Sequence, residues 1–96
     1  MDNIFDLARG LVNIYNMKLE MVKNRVRMAV AYDNLSSDDL EHLLDDLLDL
    51  YSFFGTSDIE LMYMGICELL ESRDKEAAED YYSFLKEEKD ADEKTL

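Results

Sequence analysis

Proline and tryptophan are absent from all 96 residues, and glycine appears only at positions 10, 55 and 65. Without proline, and without runs of β-branched residues, nothing interrupts helix, and the abundance of Leu, Met, Ala, Glu and Lys favours it throughout. Cys67 is the only cysteine, so no intrachain disulfide forms, and a reducing cytoplasm is the expected setting. Long apolar runs are missing as well. Asp or Glu breaks each stretch within a few residues, which excludes a bilayer-spanning segment. Met1-Asp2-Asn3-Ile4 lacks the basic lead and small-residue cleavage site of a signal peptide. Basic residues are scarce: ten Lys and Arg stand against 23 Asp and Glu, a formal net charge of −13. At a pI near 4.2, direct binding to nucleic acid is excluded for want of a basic footprint, and anionic lipid would repel the chain.

What charge there is divides unevenly. Residues 1–32 carry five basic and three acidic side chains, whereas residues 33–96 carry five basic and twenty acidic ones. A one-signed surface of that kind selects partners by electrostatics. With 48 % apolar residues the chain has enough to fill one small core, and no linker separates two domains. The expected architecture is all-α, a small four-helix bundle with a long N-terminal helix. A single helical domain spans 1–89, and an acidic, disordered tail covers 90–96.

Helical spacing locates the elements. The first helix starts at Asp2 or Asn3 and runs to about Tyr32, its polar positions Asp6, Arg9, Asn13, Asn16, Glu20, Lys23 and Arg27 stepping by three and four. Thirty residues of helix extend about 45 Å, more than a small domain covers. The helix must therefore break near Gly10 or Asn24 or overhang into a partner. After the connector Asp33-Asn34-Leu35-Ser36, Ser36 and Asp39 form a capping-box pattern. Leu40, Leu44, Leu47, Tyr51 and Phe54 give the second helix a strong apolar stripe, and Gly55 supplies its left-handed end. Ser57 and Glu60 form a second capping box for a third helix, burying Ile59, Met62, Tyr63, Ile66, Leu69 and Leu70, that ends around Ser72-Arg73-Asp74. The fourth helix runs to about Lys89 and buries Ala77, Ala78, Tyr81, Phe84 and Leu85. Leu61, Met64, Gly65, Ala77 and Tyr81 fall at spacings that resemble a single tetratricopeptide hairpin over residues 58–89. The resemblance implies two antiparallel helices touching at small residues.

Acidic clusters dominate the search for chemistry. Asp38, His42, Asp45 and Asp49 line one face of the second helix, flanked by Asp39, Glu41 and Asp46. Two readings fit them: a solvated face opposite a leucine core, or a surface that imitates nucleic-acid phosphates and docks a basic groove. In composition and helix content the chain is similar to small acidic anti-restriction proteins of phages. Asp38, Asp45, Asp46 and Asp49 are the first candidates for a partner-binding surface, with Glu71, Glu76, Glu79 and Asp80 behind them. An immunity or antitoxin protein that neutralises a basic toxin would use the same acids. Asp38, His42 and Asp46 also stand at four-residue steps suited to one metal ion. Asp38-x-x-Glu41 and Glu71-x-x-Asp74 resemble the magnesium motifs of all-α nucleotide pyrophosphohydrolases.

Catalysis has no other footing. Cys67 has no basic neighbour to lower its pKa, His42 has no Ser or Cys partner, and no glycine-rich phosphate loop exists. No cofactor is implied. The reading preferred is a non-catalytic, cytoplasmic binding protein whose partner presents a basic surface.

The sharpest anomaly lies in the first helix. On a helical wheel Lys18 and Arg25 point into its apolar face, among Leu11, Ile14, Tyr15 and Val22. An unpaired cation there is costly to desolvate. Either each snorkels or pairs with an acid of the second or fourth helix, or this face, with Leu11, Lys18, Val22 and Arg25, forms a homodimer contact.

Overall fold

The computed structural model describes the backbone of residues 2–95 and the side chains of residues 4–91. Four helices follow one another: α1 (Asp2–Tyr32), α2 (Ser37–Phe54), α3 (Ser57–Glu71) and α4 (Lys75–Thr95), with no strand among the described residues. The chain is an all-α bundle, as its composition requires.

Local chemistry sets most of the helix ends. Asp33 takes a left-handed φ of 47° beyond the end of α1, and its N–H donates to the Ala29 carbonyl at 2.8 Å. Aspartate is one of the few side chains that tolerates this conformation. Ser36 caps α2, its hydroxyl accepting the Asp39 N–H at 3.2 Å. Gly55, at φ 64°, closes α2 by donating to the Tyr51 carbonyl at 2.7 Å. The Asp74 carboxylate accepts the Ala77 N–H at 3.1 Å and so begins α4.

Two expectations are corrected. The capping residue of α3 is Thr56 rather than Ser57, with no side-chain bond. Glu60 does not reach back, because its carboxylate holds Lys89 Nζ at 2.7 Å. Helix α4 also fails to stop near Lys89. It continues through residues 90–95 of the expected tail, and Leu96 lies outside the described residues.

The core is built around the α2–α3 hairpin. Leu40, Leu43, Leu44, Leu47 and Leu50 of α2 meet Ile59, Tyr63, Ile66, Cys67 and Leu70 of α3, all buried. Among the described residues, α4 adds Ala78, Tyr81 and Leu85, and α1 adds only Val22, Val26 and Ala29. Both α1 and α4 pack on the hairpin, and among the described residues they make no close approach to each other. No charged side chain is buried among the described residues.

The first half of α1 lies outside this core. Its last anchor is Tyr15, whose ring stacks on Phe53 with centroids 4.0 Å apart and planes 2° apart. The helix does not break at Gly10 or Asn24; it overhangs. The radius of gyration, 14.8 Å, accordingly exceeds the roughly 12.5 Å of a compact chain of this length. No helix among the described residues is long and apolar enough to cross a membrane.

Candidate partner-binding surfaces

Helix α2 lies between α1 and α4, and its acids divide between the two sides. Asp46 and Asp49 turn toward α1. Lys18 Nζ lies 2.8 Å from Asp49 and 3.6 Å from Asp46, and Arg25 lies 3.6 Å from Asp46. The hydrogen bond to Asp49 is the main reason the Lys18 pKa is raised. Lys18 and Arg25 are thus answered by acids of their own chain, which removes the desolvation argument for placing them against another molecule. Val22 is 2 % exposed and belongs to the core, so it has no surface to offer a partner. Leu11, by contrast, is exposed.

Asp45 turns the other way. It accepts the Tyr81 hydroxyl at 2.9 Å. Burial pushes the Tyr81 phenol pKa up, and the bond to Asp45 and the nearby charge of Glu41 push it further. Three of the four acids first expected to meet a partner, Asp45, Asp46 and Asp49, therefore have internal bonds. Only Asp38 shows none, and it is exposed. Reversing Asp46 and Asp49 to lysine would set like charges beside Lys18 and Arg25 and disturb the α1–α2 contact.

The exposed acids gather instead on α4. Glu76, Glu79 and Asp80 are all exposed there, and Glu71 is exposed at the end of α3. Positions 76, 80, 83, 87 and 90 step by four, three, four and three, which places Glu76, Asp80, Ser83, Glu87 and Asp90 on one stripe. Glu79 borders it. The lysines of this helix up to residue 90, Lys75, Lys86 and Lys89, lie around the cylinder on the side toward α3, where Lys89 meets Glu60. Phe84 stands half-exposed beside the stripe, edge-on to Tyr81 at 5.4 Å. Glu87 and Asp90 were not among the acids singled out from the sequence, although this spacing reveals them.

Other candidate sites do not assemble. No group of three or more His, Cys, Asp and Glu is placed to hold a metal ion among the described residues, and Asp46 of the Asp38–His42–Asp46 trio faces two cations. Glu71 ends α3 and the Asp74 carboxylate is occupied as the α4 cap, and the pyrophosphohydrolase-like pieces form no metal-holding group among the described residues. Burial, aided by Glu71, pushes the Cys67 thiol up to about 12. A Cβ added at Gly65 would meet nothing within 4 Å. The close helix approach that a tetratricopeptide-like hairpin places at a small residue is therefore not at Gly65; Ala78, fully buried, sits in the core instead.

Comparison with family models, with curated proteins and with solved structures finds no match for this chain.

Proposed function

We propose that this is a non-catalytic, cytoplasmic binding protein that regulates or inhibits a partner by occupying its basic, nucleic-acid-binding surface. The observation that carries this reading is the acidic stripe of α4 from Glu76 to Asp90, whose far end, Asp90, shares an open cleft with Lys86 and Lys89. Glu76, Asp80, Glu87 and Asp90 rise over about 21 Å, roughly six base steps of duplex nucleic acid. Asp38 of α2 and Glu71 and Glu79 extend the negative surface. Five of the chain's cations, Lys18, Lys23, Arg25, Arg73 and Lys89, are held in internal pairs, so they do little to neutralise this face. Phe84 gives the stripe an apolar anchor of the kind that protein interfaces use at their centres. A single buried free thiol is in keeping with a reducing compartment.

The test uses the wild-type protein as bait in host lysate, beside a Glu76→Lys/Asp80→Lys/Glu87→Lys variant. These three positions are exposed and bear no internal bond, so the variant should keep its helix content. The captured partner should be lost from the variant, released as salt rises, and displaced by added duplex DNA, because exposed charges are screened beyond about 8 Å at physiological ionic strength. Capture indifferent to both salt and charge reversal would remove the reading.

A further inference from the structure

Helix α1 carries two apolar faces, and its own chain covers only one. Tyr15, Leu19, Val22, Val26 and Ala29 pack on the core. Eleven of the fifteen exposed large hydrophobic side chains of the described residues also lie on α1. Their arrangement is regular. Ile4, Leu7, Leu11 and Ile14 step by three, four and three, and the same alternation continues through 18, 21, 25, 28 and 32. Met21, Met28 and Tyr32 hold three of those later places. This is the seam of a coiled coil, sustained for four heptads. Ile4 is 75 % exposed, Leu7 74 % and Ile14 63 %.

We propose that the seam is a homodimer interface, occupied by α1 of a second copy running antiparallel. The lysine and arginine at the two remaining seam positions decide the direction. A parallel pair would set Lys18 against Lys18 and Arg25 against Arg25, like charges in two layers with only the Met21 layer between them. An antiparallel pair centred near residue 16 sets Lys18 against Ile14 of the second copy and Arg25 against its Leu7. Each cation already has its charge drawn aside to Asp46 or Asp49, leaving its aliphatic stem along the seam. Asp6 also arrives near the basic stretch that holds Arg25 and Arg27.

Shape agrees with this direction. An open cleft of about 590 Å³ runs between α1 and α2, lined by Asn24, Arg25, Met28, Leu35, Asp39 and His42 among others. In the antiparallel register, Ile4 and Leu7 of the second copy arrive over Met28 and Arg25, at this cleft. One two-fold contact then covers the bare first half of each helix with the anchored second half of the other. The area suffices as well. At roughly 60–120 Å² for each apolar side chain buried, the six from Ile4 to Met28 in each copy give on the order of 1,000 Å². Met17 and the two stems carry the total into the range of about 1,200–2,000 Å² typical of stable complexes.

Light scattering should give a mass near twice 11.2 kDa. A Leu11→Glu/Ile14→Glu variant should keep its helix content, since neither side chain belongs to the monomer core, while dimer affinity falls at least roughly a hundredfold. Direction is read by oxidation. Leu11→Cys/Met21→Cys should cross-link into dimers and Leu11→Cys alone should not; the buried Cys67 supplies no background. Cross-linking by Leu11→Cys alone would overturn the antiparallel arrangement. A wild-type monomer at several hundred micromolar would overturn the dimer and assign the seam to a different protein.

Discussion

Tyr63 and Tyr81 are bonded through the backbone: the Tyr63 hydroxyl donates to the Tyr81 carbonyl, and the two rings lie 6.5 Å apart. Tyr63 is fully buried, so its hydroxyl needs an acceptor inside the protein. Tyr81 passes the connection on through its own hydroxyl to Asp45. A single line of bonds thus crosses from α3 through α4 to α2. Tyr63→Phe should cost about 1–2 kcal/mol and Tyr81→Phe about 1 kcal/mol. Because the two bonds share Tyr81, their sum should differ from the loss in the double variant. Denaturant unfolding of all four proteins measures the coupling, and strict additivity would contradict a shared line.

Alkaline pH should weaken the fold. The Cys67 thiol is raised to about 12, by burial first and Glu71 second. Burial also raises Tyr63 and Tyr81, and the Asp49 bond raises Lys18. Unperturbed, the thiol titrates at 9.0, the phenols at 10.0 and the lysine at 10.5. Above those values the unfolded chain holds fewer protons than the folded one, so stability falls with rising pH. It should be complete below about pH 9 and decline beyond pH 10 more steeply than the about 1.4 kcal/mol per unit of one proton. Thermal midpoints across this range test the slope, and Cys67→Ala should remove its earliest part.

Two glycines should respond in opposite directions to alanine. Gly65 lies inside α3 with open space where a Cβ would stand. Gly65→Ala should therefore stabilise by about 0.5–1 kcal/mol. Gly55 holds φ 64° at the end of α2, where any Cβ is strained. Gly55→Ala should cost about 1 kcal/mol or more. Thermal unfolding separates the two, and equal effects would deny the difference in backbone.

Much of this fold is legible in the residues, because a helical wheel reports direction around an axis. The leucine stripe of α2, the Ser36 cap and the Gly55 turn all follow from spacing and local chemistry. A wheel does not report what stands opposite. Val22 and Leu11 look equally apolar in sequence, yet one is core and the other faces outward. Asp46 and Asp49 look like Glu76 and Asp80 until Lys18 and Arg25 are seen beside them. Ser57 and Glu60 have the letters of a capping box, but Lys89 competes for the glutamate from 29 residues away. The end of α4 was misplaced for a related reason: helix propensity persists past Lys89 without apolar residues to mark it.

Arg73 has a consequence for the order in which the chain folds. From the turn between α3 and α4 its guanidinium donates to the Asp33 carbonyl at 2.9 Å, to the Asp33 carboxylate at 2.7 Å and to the Leu35 carbonyl. It therefore joins segments 40 residues apart, whereas α2 and α3 meet across a two-residue turn. Short loops close at less entropic cost than long ones, so the hairpin should form before this bond. A contact absent from the folding transition state changes only the rate of escape from the native basin. Arg73→Ala should then speed unfolding severalfold and leave refolding nearly unchanged in stopped-flow kinetics. Slower refolding would instead place Asp33 and Arg73 together at the start, making this small staple the nucleus of the domain.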